Sequence, residues 1–189
     1  MLRFKERYNK EVVPKMVEKF GYRSVMAVPR IKKVLVNTGF GRQVVGLTAD
    51  EQKKVCQNVI DDLSLICGQK PVLTLSKKSI ASFKLRKGMQ IGAKVTLRGK
   101  RMEDFIDRLV RIALPRSRDF QGISPESIGP EGNLTLGIKE QITFPEVSPE
   151  STKRIFGLEV TVVVTSKSRE EGMELLKLLG FPIKSVSSI

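Results

Sequence analysis

Strict alternation over residues 89–98 constrains the fold of this chain more than any other feature. Apolar residues occupy every second position, and polar, basic or small residues lie between them. The apolar side consists of Ile91, Ala93, Val95 and Leu97, and the other side of Gln90, Gly92, Lys94, Thr96 and Arg98. A period of two is typical of a strand with one buried face. The stretch therefore predicts a half-buried strand whose second face is polar and basic.

The predicted strand lies in a strongly basic segment, residues 63–102, which contains ten Lys or Arg and no acidic residue. Uncompensated charge at this density produces a strong local field, and a polyanion is the partner that such a field attracts. Apolar residues are interleaved with the charges. We therefore expect the segment to fold rather than to form a disordered basic tail.

A shorter strand is predicted over residues 72–75, and residues 76–87 connect it to the alternating strand. Connections of about twelve residues tend to be functional or disordered. This one carries five cations, which are Lys77, Lys78, Lys84, Arg86 and Lys87. Composition leaves two interpretations open, a solvated surface loop or a basic finger that binds phosphate.

Length and charge limit the class of protein to which the whole chain can belong. With 189 residues it can bury a sizeable core, and one domain over residues 1–189 is the default. The net charge of +14 is uneven, because residues 1–102 sum to +16 and residues 103–189 to −2. We expect a basic face and a near-neutral remainder. The charged N-terminus does not resemble a secretory signal, and no apolar run reaches membrane-spanning length.

The two cysteines, Cys56 and Cys67, lie eleven residues apart on one predicted helix. That spacing separates them by roughly 16 Å along the axis, too far for a disulfide. We expect reduced, buried thiols in a cytosolic protein. With no histidine, the chain offers no ligand set for zinc, and we predict no metal site and no cofactor.

Periodicity places four helices and three further strands. The first helix is predicted over residues 2–20 with a kink near Val13, and the second from a capping box at Thr48 and Glu51 to about Cys67. The third is predicted over residues 100–114, with Pro115 as the stop, and the fourth from Ser168 to Gly180. Strands are predicted over residues 29–39, 134–142 and 157–165. The glycines of residues 39–46 fit neither nucleotide-binding spacing, so we predict a turn there. Residues 119–133 are predicted to be a long surface excursion.

These elements predict an α+β fold. One face of the sheet buries Val, Ile and Leu under the helices, and the opposite face carries small or hydrogen-bonding residues. Those residues are Asn37, Gly92, Thr96, Gly137 and Thr161. A sheet with an uncovered polar face is open to an RNA backbone.

Two other classes of protein fit the sequence less well. An enzyme without histidine would depend on carboxylates, and the glutamates of residues 126–150 are scattered without paired spacing, so we name no catalytic residue. A peripheral membrane protein would use the basic loop with Phe83 and Leu85 on anionic lipid. That loop lacks a helical moment and the chain lacks an acylation signal, so we predict no membrane partner.

Four stretches of sequence together resemble a known family. They read GQKPVLTLSKKSIASFKLRKGMQIGAKVTLRG, FIDRLVRIALPRSRDFQGISP, LGIKEQITFPEV and LEVTVVVTSKSREEGMELLKLLGFP. They closely resemble the bacterial large-subunit ribosomal protein five family, which binds 5S rRNA. The match runs nearly end to end, from Leu2 to Pro182.

The resemblance implies an antiparallel sheet with helices packed on one face and an open concave RNA-binding face. It implies that this face binds 5S rRNA in the central protuberance of a cytoplasmic ribosome. Asn37, Gln69 and Thr96 match the family's RNA-contact positions. The predicted 5S rRNA-binding set is Asn37, Gln69, Lys70, Lys94, Thr96 and Arg98.

The resemblance also implies further partners. The basic loop is implied to reach the elbow of P-site tRNA, and the predicted tRNA-binding set is Lys77, Lys78, Ser79, Phe83, Lys84 and Arg86. The excursion after Asp119 is implied to face the small-subunit head protein thirteen in an intersubunit bridge. Large-subunit rRNA and neighbouring 5S-binding ribosomal proteins complete the expected partners. Phe83 has two open interpretations, stacking on a nucleotide or anchoring the loop to the body.

The chain departs from the family pattern in two places. It has SIGPEGNLTLGI at residues 127–138 where the family usually has SFDGRGNYxLGI. It has Arg42-Gln43 where the family usually has Glu-Ala. Both departures lie away from the RNA-contact positions, so they bear on loop conformation and the bridge more than on 5S rRNA binding.

Overall fold

The structure is a computed structural model that describes residues 4–118, 120–148, 150 and 154–184. The predicted start of the first helix at Leu2 and the first residue of the excursion, Asp119, lie outside the described residues. No helix in the described part of the chain is both long and apolar enough to span a membrane.

Five strands form one sheet. They are β1 (Ile31–Gly39), β2 (Val72–Leu75), β3 (Gln90–Leu97), β4 (Leu134–Ile138) and β5 (Leu158–Val164). The sheet is antiparallel and open, with the order β2-β3-β1-β5-β4. The predicted α+β fold with an antiparallel sheet is confirmed.

The prediction of a strand over residues 134–142 is wrong at its C-terminal end. After β4 the chain turns through a 3₁₀ turn, Gln141–Thr143. The Gln141 side chain is fully buried, accepts a hydrogen bond from the Phe156 N–H at 2.8 Å and donates one to the Arg154 carbonyl at 2.8 Å. A buried amide must find such partners, so these bonds fix a turn here in place of further strand.

Helical segments connect the strands. They are α1 (Phe4–Arg7), α2 (Val13–Phe20), α3 (Gly41–Val44), α4 (Ala49–Cys67), α5 (Gly99–Arg108), α6 (Leu114–Arg116) and α7 (Arg169–Leu178). The glycine-rich segment that was predicted to be only a turn thus contains the short helix α3. Its first turn is closed by the Val45 N–H, which donates to the Gly41 carbonyl at 3.2 Å.

A π turn precedes each of two helical prolines. Tyr8–Val12 joins α1 to α2, just before Pro14, and Leu109–Ala113 joins α5 to α6, just before Pro115. A proline lacks the N–H and clashes with the carbonyl four residues earlier, so the ladder must widen there. The kink predicted near Val13 therefore takes the form of a π turn. The prediction that Pro115 stops its helix is wrong, since α6 continues to Arg116.

The longest helix, α4, begins and ends as predicted. The Glu51 carboxylate accepts from the Thr48 N–H at 2.9 Å, and the Thr48 hydroxyl accepts from the Glu51 N–H at 3.4 Å. The carboxylate also accepts from the Thr48 hydroxyl at 2.9 Å, and the two bonds that it accepts from Thr48 hold the pKa of Glu51 below its usual value. Gly68 ends the helix with φ of 63°. Cys56 and Cys67 are both buried, as predicted.

The chain forms two compact units. The first comprises residues 1–34, 98–136 and 161–189, and the second comprises residues 35–97 and 137–160. That residues 1–189 act as a single domain stays a prediction.

The first unit contains α1, α2, α5, α6 and α7. Its core includes Met16, Phe105, Leu109 and Leu175, each fully buried. Residues 120–133, predicted to be a surface excursion, are fixed at two points, because Ile123 and Ile128 are buried and form isolated bridges with Ile183 and Leu134. The segment is therefore attached to the core and is not a free loop.

The second unit contains α3 and α4 and the strands β2 and β3. The predicted inward residues of α4 are buried, namely Val55, Val59, Leu63 and Ile66. The apolar side of β3 packs towards this helix, with Ala93, Val95 and Leu97 at most 2% exposed. The helix α4 therefore covers the apolar side of β3 and leaves the polar side of that strand uncovered.

Candidate nucleic-acid interface

The two faces of β3 differ as the alternation predicts. Lys94 is exposed and Thr96 half-buried on the side opposite the buried Ala93, Val95 and Leu97. The register with β2 pairs Val72 with Lys94 and Thr74 with Gly92, so these residues share the open face. Gly92 is itself buried, and an added Cβ there would lie 2.6 Å from the Thr74 hydroxyl and 2.7 Å from the Thr38 carbonyl.

Asn37, Gln69 and Lys70 add polar groups to this unit. Asn37 is exposed on β1, which neighbours β3 in the sheet. Gln69 is half-buried, and its amide donates to the Thr96 carbonyl at 3.4 Å. Lys70 follows it and is exposed. The structure thus brings Gln69 and Thr96 together, two residues that lie far apart in sequence.

Several of these groups have hydrogen-bonding capacity left for a ligand. Among the described residues, the side chains of Asn37 and Thr96 make no hydrogen bond, and no ion pair involves Lys70, Lys94 or Arg98. Five of the six predicted 5S rRNA-binding residues belong to the second unit. Arg98 is exposed at the end of β3 and belongs to the first.

The connection over residues 76–87, here called the basic hairpin, is closed by its own hydrogen bonds. The Ser76 N–H donates to the Met89 carbonyl at 2.8 Å, and Ile80 and Leu85 exchange backbone bonds of 3.0 and 3.1 Å. A 3₁₀ turn, Ala81–Phe83, forms the tip, and Lys84 closes it with φ of 50°. The connection is therefore a structured hairpin.

The predicted tRNA-binding side chains all lie on this hairpin and are exposed. Among the residues that the structure describes, no carboxylate pairs with Lys77, Lys78, Lys84 or Arg86. The Ser79 hydroxyl accepts from the Lys87 N–H at 2.9 Å, so this side chain also holds the hairpin together. Phe83 is 65% exposed, so the body of the chain does not bury it as an anchor.

Comparison with known proteins covers nearly the whole chain. Residues 24–86 match the family described as ribosomal protein L5, and residues 90–183 match the family model for the C-terminus of the same ribosomal protein. The large ribosomal subunit protein uL5 of Thermoanaerobacter sp. (strain X514) is 51% identical over 182 residues, which cover 96% of this chain and 98% of that protein.

The protein of the same name from Syntrophomonas wolfei subsp. wolfei is 52% identical over 184 residues, covering 97% of this chain and all of its own length. The chain belongs to the ribosomal protein L5 family. The resemblance drawn from the sequence motifs is thereby confirmed. Members of the L5 family are structural ribosomal proteins and not enzymes.

The departure of this L5-family chain at residues 127–138 leaves a well-fixed turn. The Gly129 N–H donates to the Asn133 carbonyl at 2.9 Å, and the Ser166 hydroxyl donates to the Glu131 carbonyl at 2.7 Å. The Asn133 side-chain oxygen accepts from the Val164 N–H at 2.9 Å. The altered stretch is thus attached to β5 and to the residues that follow it.

The second departure from the L5 pattern, Arg42-Gln43, lies on α3 beside an apolar groove that the sequence did not reveal. The groove has a volume of about 760 Å³. Its lining includes Phe40, Arg42, Gln43, Phe83, Leu85 and Ile91. Phe40 is 1% exposed and forms part of the floor, whereas Phe83 stands at the open side.

A second recess, the cationic cleft, has a volume of about 630 Å³. Lys84, Arg86 and Lys87 of the basic hairpin line it, together with Gly46, Leu47, Ala49, Gln52, Gly88 and Met89. The sequence offers only a partial signal for these two linings, the alternation of apolar and basic residues in Phe83-Lys84-Leu85-Arg86, and it does not indicate the recesses themselves.

Proposed function

We propose that this chain is a structural component of the large ribosomal subunit that binds 5S rRNA and helps to anchor it in the central protuberance. The open face of the sheet provides the binding surface, through Asn37, Gln69, Lys70, Lys94, Thr96 and Arg98. The observation that carries the proposal is the uncovered polar side of β3, where the side chains of Thr96 and Lys94 have no partner among the described residues. Large-subunit rRNA and neighbouring 5S-binding proteins are further proposed partners.

Recognition on this surface depends on RNA shape and backbone. Lys and Arg neutralise phosphates and release counterions, and short polar side chains such as Asn37 and Thr96 suit 2′-hydroxyls, phosphates and exposed base edges. The five strands contain no aromatic residue. The sheet therefore offers no platform for base stacking, and its contacts are polar.

The basic hairpin is proposed to contact P-site tRNA through Lys77, Lys78, Ser79, Phe83, Lys84 and Arg86. Support comes from its exposed cations, which no carboxylate neutralises within the described part of the chain. The hairpin is closed by its own backbone bonds, so it can present these cations without first ordering itself. Residues 120–133 are proposed to contact the small-subunit head protein thirteen.

A competition experiment tests the RNA assignment. The full chain is bound to labelled 5S rRNA on filters at physiological salt, and either unlabelled 5S rRNA or anionic lipid vesicles are added. We expect unlabelled 5S rRNA to displace the label and the vesicles to leave it bound. Equal competition by both would contradict specific RNA binding.

Salt dependence provides a second prediction. Because each neutralised phosphate releases counterions, we expect 5S rRNA affinity to fall at least about 100-fold between low and physiological salt. The logarithm of the binding constant, measured by filter binding over a salt series, should fall linearly with the logarithm of salt concentration. A flat salt series would contradict binding through the Lys and Arg side chains.

A further inference from the structure

Alternate residues on the returning side of the basic hairpin line two different recesses. Phe83 and Leu85 line the apolar groove, and Lys84 and Arg86 line the cationic cleft. The division arises where the chain leaves the 3₁₀ turn, because Phe83 ends that turn and Lys84, with φ of 50°, lies between Phe83 and Leu85. A nucleotide has the same division, because an aromatic base is joined to an anionic phosphate.

The apolar groove has the features of a base-binding site. Its volume of about 760 Å³ lies in the range of known small-molecule pockets. Phe83 is 65% exposed, so a face of its ring is available for stacking, while Phe40 and Ile91 form an apolar floor. Stacking on an aromatic side chain accepts any base, since every base has a π face.

The cationic cleft has the features of a phosphate-binding site. Among the described residues, no carboxylate pairs with Lys84, Arg86 or Lys87. The first amides of α4 also border the cleft, but Thr48 and Glu51 already cap that helix end. The attraction for phosphate therefore comes from the three hairpin cations.

Arg42 adds a positive charge at the apolar groove, where the family pattern has glutamate. Its guanidinium is exposed and has no partner among the described residues. The neighbouring Gln43 fixes α3 in position, because its side-chain amide donates to the Ile155 carbonyl at 3.0 Å and its backbone carbonyl accepts from the Arg154 guanidinium at 3.0 Å. The sign of the charge beside the groove is thus a property of this chain.

We propose that the apolar groove and the cationic cleft together bind one unpaired nucleotide of an RNA strand. The base lies in the groove against Phe83, its phosphates lie at Lys84, Arg86 and Lys87, and Arg42 adds a cation beside the groove. This inference rests on the proposed function, because RNA must be the partner of the chain. It adds a nucleotide site that is separate from the open face of the sheet.

The test uses the full chain and a short single-stranded RNA with 2-aminopurine at its centre, at low salt. Because the chain has no tryptophan, the emission of the probe reports stacking without interference. We expect Phe83→Ala to weaken binding about tenfold and to abolish the quenching, and Phe83→Tyr to retain both within about twofold. Arg42→Glu should also weaken binding, and more so as salt is lowered.

Leu65→Ala serves as the matched control, because Leu65 is 58% exposed on α4 and lines neither recess. It should bind the probe as the parent chain does. A second probe carries an abasic residue in place of 2-aminopurine. If the base stacks on Phe83, the penalty of Phe83→Ala should disappear with this abasic probe.

The nucleotide site would be overturned if Phe83→Ala reduced the affinity for both probes equally or for neither. The groove would then be assigned to an apolar side chain of a protein partner. Binding of 5S rRNA is measured in parallel with each variant. If 5S rRNA binding is intact but the two single-stranded probes give either of these contrary results, only this inference is rejected. Failure of the parent chain to bind either RNA rejects the proposed function as well.

Discussion

Replacing Asn37 and Thr96 together with alanine is expected to weaken 5S rRNA binding by at least about 100-fold, since two hydrogen bonds are lost and one to a charged group contributes about 1.5–3 kcal/mol. Neither side chain makes a hydrogen bond within the described residues, so the double variant loses contacts to RNA and not contacts within the protein. Filter binding at fixed salt measures the affinity. An unchanged thermal midpoint would show that the fold is retained.

The comparison for this experiment is a hairpin variant in which Lys77, Lys78, Lys84 and Arg86 are all replaced with alanine. It should keep nearly all of the 5S rRNA affinity and weaken tRNA engagement on the ribosome, whereas the sheet variant should do the reverse. If the hairpin variant lost 5S rRNA binding as severely as the sheet variant, the assignment of two separate RNA surfaces would be wrong.

The elements that the sequence predicted well are those fixed by neighbouring residues. The alternation of β3 correctly predicts the buried side chains of Ala93, Val95 and Leu97, whereas Ile91 is only half-buried. The capping box of α4 joins Thr48 to Glu51, three residues apart, so its hydrogen bonds follow from local geometry. In both cases, residues that lie within a few positions of one another determine the local structure.

The two errors at element ends have different causes. The end of β4 depends on distant residues, because the partners of Gln141, Phe156 and Arg154, lie 15 and 13 residues away. The error at Pro115 is local, because the π turn over residues 109–113 accommodates the proline and the helix continues to Arg116. A helical period predicts neither outcome.

The candidate site likewise has features that neighbouring residues predict and features that depend on distant residues. The position of Lys94 and Thr96 on the open face follows from the alternation, and the contact between Gln69 and Thr96 does not, because 27 residues separate them. The apolar groove depends on α3, which Gln43 attaches to Ile155 across 112 residues of sequence. A single sequence without its fold therefore predicts the polar face and misses the recess beside the hairpin.

Gly172→Ala is expected to lower the free energy of unfolding by about 1–3 kcal/mol, as overpacked substitutions do. Gly172 lies on α7 against the turn that contains Gly132. An added Cβ would contact the Gly132 Cα and lie 2.7 Å from its carbonyl oxygen. Both are backbone atoms, so no side-chain rotation relieves the clash. Thermal or urea unfolding of the full chain measures the change.

Gly137→Ala is the control for this substitution, because a Cβ at that exposed strand position meets nothing within 4 Å. Gly172→Ala should also disturb the turn that bonds Val164 and Ser166, and with it any contact of residues 120–133 with the small-subunit head. The open face of β3 belongs to the other unit, so 5S rRNA binding should persist below the unfolding transition. An unchanged stability would mean that the turn can move away from α7 without cost.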